Sequence, residues 1–190
     1  MAINQENIKP IVRELLKNLV SDHDRSGLVE TPDRVAKSWE SLLDGYNRDF
    51  KEEAKTFDNT HGYSDIVLSG KINFTSVCEH HLLPFWGEAY VAYIPKDRII
   101  GLSKLSRAVD IYSRRLQDQE RITQQVSNAL EEYLDPKGVA VLIKAQHFCN
   151  IARGVEKPSS NMVTSSFTGD FMKSENIQRF YSMVDFANGN

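Results

Sequence analysis

Both cysteines of this chain stand beside histidine, in Cys78-Glu79-His80-His81 and in His147-Phe148-Cys149, and this pairing constrains the fold more than any other feature. Cys78 and His81 are three residues apart, so a tight turn or one helical turn directs both side chains the same way. His80 and His81 are adjacent and expected to point apart, which leaves one of them to share a metal with Cys78. Cys149 comes from far along the chain, so a site that joins it to Cys78 exists only in the folded protein. Cys78, His81 and Cys149 fill three corners of a zinc tetrahedron and leave the fourth to water, the arrangement of a catalytic rather than a structural zinc. His80 and His147 then remain as proton-transfer groups beside an activated water. Two readings need no metal. One is a pair of buried free thiols with surface histidines. The other is a disulfide, against which the absence of a charged-then-apolar leader and of any other sign of an oxidising compartment argues.

Hydrophobic periodicity fills in the frame. Ile8, Val12, Leu15, Leu16 and Leu19 recur at helical spacing and predict a helix over 6–20. A second helix is expected from Thr31, with Thr31 as cap, Pro32 in its first turn, Asp33 at the positive end of the dipole and Gly45 as its stop. Residues 47–63 read as a connection. Strand signals follow at 66–68, 72–76, 88–94 and 98–102, punctuated by Gly70, Gly87 and Pro95-Lys96-Asp97, and the short links imply antiparallel pairing. Two helices come next, one capped by Ser103 and running to about Leu116, the other from Gln119 to Leu134. Val139–Ala145 is an apolar strand leading into His147 and Cys149, and a last helix covers roughly 174–186. The expected fold is α+β: an antiparallel sheet with helices packed on one face and a helical N-terminal arm. The arm is taken as residues 1–50 and the catalytic domain as 51–190.

At a net charge of −3 nothing suggests nucleic acid binding across the surface, so an anionic ligand needs a local basic cluster. No apolar run approaches a membrane span. Lys104 and Arg107 lie in the first turn of a helix, where cations oppose the dipole, and a bound anion would resolve that conflict. Arg153, four residues past Cys149, adds a positive group near the metal. Arg34 and Lys37 share one helix face, for which solvation alone is a sufficient explanation. Glu120, in the charged break between two helices, suits a ligand with adjacent N–H donors such as guanine.

These residues fall within long stretches, DRSGLVETPDRVAKSWESLLDGY, SVCEHHLLPFWGEAYVAYIPKD, IIGLSKLSRAVDIYSRRLQDQERIT and HFCNIARGVEKPSSNMVTSSFTGDF, that together resemble the GTP cyclohydrolase I family from about Val12 to Val184. The resemblance implies a tunnelling fold, assembled sheet edge to sheet edge into a decamer of two pentamers with active sites between subunits. It implies zinc on Cys78, His81 and Cys149, with His80 and His147 catalytic. It places guanine at Glu120 beside Gln119, and triphosphate at Arg34, Lys37, Lys104, Arg107 and Arg153, with Ser103 near ribose and phosphates as a proton-transfer group. The implied reaction is cytoplasmic hydrolysis of GTP at C8, release of formate and rearrangement to 7,8-dihydroneopterin triphosphate, an opening step toward folate, other pterins or deazaguanines. The short N-terminal arm leaves no regulatory extension to expect, and no role is assigned to Asn161 or Met162. Two other readings keep the site but change the chemistry: a tunnelling-fold relative acting on another pterin or deazaguanine, or a non-catalytic zinc protein that binds nucleotide.

Overall fold

A computed structural model describes residues 3–189. In chain order the elements are α1 (Gln5–Leu19), α2 (Thr31–Leu42), α3 (Phe50–Glu53), β1 (Thr56–Asp58), β2 (Val67–Cys78), β3 (Pro84–Ile94), β4 (Arg98–Ile100), α4 (Leu102–Ser113), β5 (Leu116–Gln117), α5 (Gln119–Leu134), β6 (Gly138–His147), α6 (Phe148–Ile151), β7 (Met162–Phe167) and α7 (Ser174–Asn188). The main sheet has the order β5-β2-β3-β6-β7, antiparallel except for two-residue β5, which runs parallel to β2. β1 and β4 form a separate antiparallel pair.

Alternation along the strands divides the core into two. Phe74, Phe85, Val91, Tyr93, Val141 and Ile143 point to one face and pack under Leu105, Val109, Ile111, Ile122, Val126 and Leu130 of α4 and α5. Tyr90, Ala92, Ile94 and Leu142 point to the other, where Phe180 and Val184 of α7 and Phe171 cover one end. Burying each large aliphatic side chain contributes roughly 1.5–3 kcal/mol, so the central helices are held by this face of the sheet. The expected antiparallel α+β layering is present, with α7 as added cover on the second face.

Expected punctuation marks play other parts. Gly70 does not end a strand: β2 runs through it with a bulge between Ser69 and Ile72, and Lys71 takes the left-handed conformation (φ 52). Gly87 lies within β3, where a Cβ would meet the Lys144 carbonyl oxygen at 2.0 Å. Gly45 is not the stop of α2, which Leu43 caps; it bonds through its N–H to the Arg114 carbonyl at 2.9 Å, an approach no side chain would permit. Thr31 and Ser103 are inside their helices rather than capping them. Glu30 and Gly101 take the cap positions without side-chain bonds. Asp33 is bound to Lys9 of α1 at 3.0 Å, joining the two arm helices.

The seam between α5 and β7 is polar. Thr123 Oγ1 and Thr164 Oγ1 lie 2.7 Å apart, Ser166 donates to Ser127 Oγ at 3.1 Å, and Thr168, just past the strand, bonds Glu131. Residues four apart on the helix thus meet residues two apart on the strand.

Glu53 of α3 ties the arm side of the molecule to α4. It accepts from Arg48 at 2.7 and 2.9 Å and from Arg107 at 3.0 Å. The Arg48 guanidinium, with Arg107 beside it, lowers its carboxyl from 4.5 to about 2 against the opposing cost of burial. A depressed carboxylate stabilises the fold above its unfolded pKa, and that contribution is lost as pH falls from about 4.5 through about 2. Glu53→Gln is therefore expected to lower urea-unfolding stability at pH 7 by about 1–2 kcal/mol after solvent screening. The gap from wild type should shrink at pH 3, and a gap that stays constant with pH would dismiss this pair as a source of acid sensitivity.

Candidate metal centre

Four chain segments converge at one end of the sheet. β2 ends on Cys78, β3 starts at Pro84, β6 ends at His147 paired with Phe85, and β5 sets Gln117 beside Cys78. The link from β2 to β3 is tight: Cys78 N–H donates to the Leu83 carbonyl and Leu82 N–H to the Cys78 carbonyl, both at 2.8 Å, with Leu82 left-handed (φ 54). This turn folds the histidines back over Cys78. His81 Nδ1 is 3.7 Å and His80 Nδ1 3.8 Å from Cys78 Sγ, so the two adjacent rings both approach the thiol instead of diverging. Past His147, the single turn of α6 brings in Cys149.

Cys78, His81 and Cys149 each offer one ligand atom, all within 4.8 Å of one another. Cys78 is buried, Cys149 half-buried and His81 exposed. Two sulfurs and an imidazole nitrogen at this spacing fit a borderline-soft divalent ion. Both thiols are free. Burial and the neighbouring Cys78 thiol push Cys149 up, while the charge of Arg153 pulls it down. Metal binding at this site would therefore release protons.

His147 is held on two sides. Its ring stacks on Phe85 at 4.5 Å and 6°, and its Nε2 lies 3.0 Å from Gln119 Oε1. Burial lowers its pKa, and the Glu120 carboxylate partly offsets this. Glu120 is exposed in the first turn of α5, whose N-cap Asp118 accepts from Arg121 N–H at 2.7 Å. Arg121 also grips Glu79 at 2.5 and 2.9 Å, clamping the histidine turn to the start of α5.

Gln119, expected beside the base, is fully buried and its amide is bonded within the protein. The cap of Asp118 and the grip of Arg121 were missed. Arg121 is one charged residue in a charged break with no pattern to set it apart, whereas Asp118, directly before the expected helix start at Gln119, is a recognisable N-cap signal.

Within one chain the basic residues divide. Arg153 is near Cys149. Ser103, Lys104 and Arg107 have no hydrogen bond or ion pair to the cluster among the described residues, and Arg107 bonds Glu53 instead. Arg34 bonds Glu30 at 2.5 Å on the exposed face of α2, and Lys37 is exposed. Neither has a hydrogen bond or ion pair to the cluster among the described residues.

A family profile described as GTP cyclohydrolase I matches residues 8–185. The chain belongs to the GTP cyclohydrolase I family. Relatives named GTP cyclohydrolase 1 agree with this. That of Chlorobium phaeovibrioides is 47% identical over 173 residues, covering 91% of this chain and 78% of the relative. That of Brucella canis is 46% identical over 175 residues, covering 91% and 82%. Among solved structures, the archaeosine synthase QueF-Like in its apo form overlaps 55% of this chain and 93% of its own, at 18% identity and TM-score 0.45. That partial overlap adds nothing to the family match. Among the described residues no helix is long and apolar enough to cross a membrane.

Proposed function

We propose that this chain hydrolyses GTP to 7,8-dihydroneopterin triphosphate and formate, with zinc held by Cys78, His81 and Cys149. The observation that carries the reading is the meeting of those three ligand atoms within 4.8 Å at the strand ends that also deliver His147. When bound, zinc supplies Lewis acidity for the activation of water. His147 exchanges a proton with the imidazole nitrogens of the guanine as that ring opens, and the exposed His80 is a second proton carrier on the same side of Cys78. Glu120 accepts from the guanine N1–H and exocyclic amine and so fixes the base before chemistry starts. Arg153 supplies positive charge beside Cys149 for the triphosphate.

Ser103, Lys104, Arg107, Arg34 and Lys37 reach ribose and phosphates from neighbouring subunits in this reading. That none of the five bonds to the cluster within one chain is in keeping with an assembly of shared sites, for which a decamer of two pentamers is the expected form. Light scattering reads that mass directly, and a monomer would remove these five residues from the site. A reducing compartment such as the cytoplasm suits a centre that needs both thiols free, and the product is a starting point for pterin or folate synthesis.

Zinc-loaded protein incubated with GTP is expected to yield formate and, after oxidation, a fluorescent pterin. Formate without pterin would mean a truncated reaction, and neither product would mean a binding protein. Glu120→Ala is expected to weaken GTP binding by about tenfold or more, the loss of a charge-assisted hydrogen bond worth about 1.5–3 kcal/mol. Competition of GTP against ATP tests the assignment, and an unchanged preference for GTP would take the base-reading role away from Glu120.

A further inference from the structure

Gln119 is the first residue of α5 and is fully buried. Its Nε2 is 3.1 Å from the Ile143 carbonyl, 3.2 Å from the Met162 carbonyl and 3.0 Å from Thr164 Oγ1. Two carbonyl oxygens can only accept, so this end of the amide must be the NH2. Reversing it would set three oxygens against one another in a dry site. The hydroxyls agree: Thr123 donates to the Gln119 carbonyl at 2.8 Å, so Thr164 donates to Thr123 and accepts from Gln119. The bonds close into a ring, from the Gln119 amide through Thr164 and Thr123 back to the Gln119 backbone.

With the amide so oriented, Oε1 faces His147 Nε2 at 3.0 Å. An amide oxygen accepts only, so His147 Nε2 must carry hydrogen. In the neutral ring the lone pair is then on Nδ1. Phe85, stacked at 4.5 Å, holds the ring plane against tilting, and a flip would set a ring carbon opposite Oε1 in place of Nε2.

We infer that Gln119 is a positioning residue that holds His147 in its Nε2–H tautomer, leaving Nδ1 as the atom that exchanges a proton with substrate. The inference rests on the proposed role of His147, but the tautomer itself is a property of the fold. Gln119 acts through His147 and touches no substrate.

The test uses zinc-loaded full-length protein with 15N-labelled histidine. Solid-state NMR of the wild type should show His147 with Nε2 protonated and Nδ1 bare. Gln119→Met keeps side-chain length and removes the amide. It should give a mixture of tautomers and a drop in kcat of about ten- to a hundredfold, the usual effect of removing such a supporting partner. Zinc content and KM for GTP should be unchanged. A wild-type ring protonated at Nδ1 would overturn the inference even if Gln119→Met failed to fold. So would a Gln119→Met enzyme with a raised KM and intact kcat, which would return Gln119 to base reading. An inactive wild type with the Nε2–H signature would sink the proposed reaction and leave the positioning intact.

Discussion

Cys149→Ser is expected to lose stoichiometric zinc and turnover together while its circular dichroism stays that of the wild type. A serine hydroxyl does not ionise near neutral pH, whereas a thiol gives up its proton to the metal. With Cys149 gone, only Cys78 and His81 remain of the set whose ligand atoms lie within 4.8 Å, and two ligands from one tight turn make no zinc site of catalytic type. The fold should survive, since Cys149 is half-buried on the short α6 at the rim of the sheet. Elemental analysis of purified protein decides the matter. Full zinc occupancy in the variant would show that Cys149 is not a ligand.

His147→Ala separates binding from chemistry. The imidazole is held by Phe85 and Gln119 rather than by the thiols, so its removal should leave zinc content unchanged. Loss of a positioned proton-transfer group costs about 10²–10⁴-fold in turnover, and kcat should fall by that factor with GTP still bound. Zinc loss in this variant would mean that the ligand set is wrong and that His147 belongs to it. Read together, the two variants must differ in metal content. If they do not, the division between ligand and proton carrier fails.

The sequence made some parts of the structure plain and concealed others, for physical reasons. α5 was read at its true bounds because Ile122, Val126 and Leu130 form an unbroken apolar stripe. The strand leading to His147 was plain because it is apolar on both faces, one under α5 and the other facing the α7 side. β7 was not read. Its inward side chains are Thr164 and Ser166, so its buried face looks like a solvated one, and polar alternation carries no burial signal when the partner helix is polar too. The meeting of Cys78, His81 and Cys149 was legible because cysteine and histidine are scarce and their chemistry is specific. The caps expected at Thr31 and Ser103 lie one and two residues earlier, at Glu30 and Gly101, because a hydroxyl near a helix start is only a weak indicator when Pro or Gly also sets the turn. For the basic residues a sequence gives no location, since nothing along a chain tells whether two distant cations share one copy of the protein.

The hydroxyl rungs between α5 and β7 bear on how faithfully His147 is aimed. Greasy contacts tolerate sliding, because one methyl substitutes well for another. Rungs of donors and acceptors do not. If β7 shifted by one position along β6, Val163, Ser165 and Phe167 would turn toward the helix, and Gln119 would lose Thr164 along with the orientation of its amide. A misthreaded border strand would thus leave the sheet nearly intact and the imidazole wrongly tuned, so correct alignment at the rim is a condition for proton transfer at the centre.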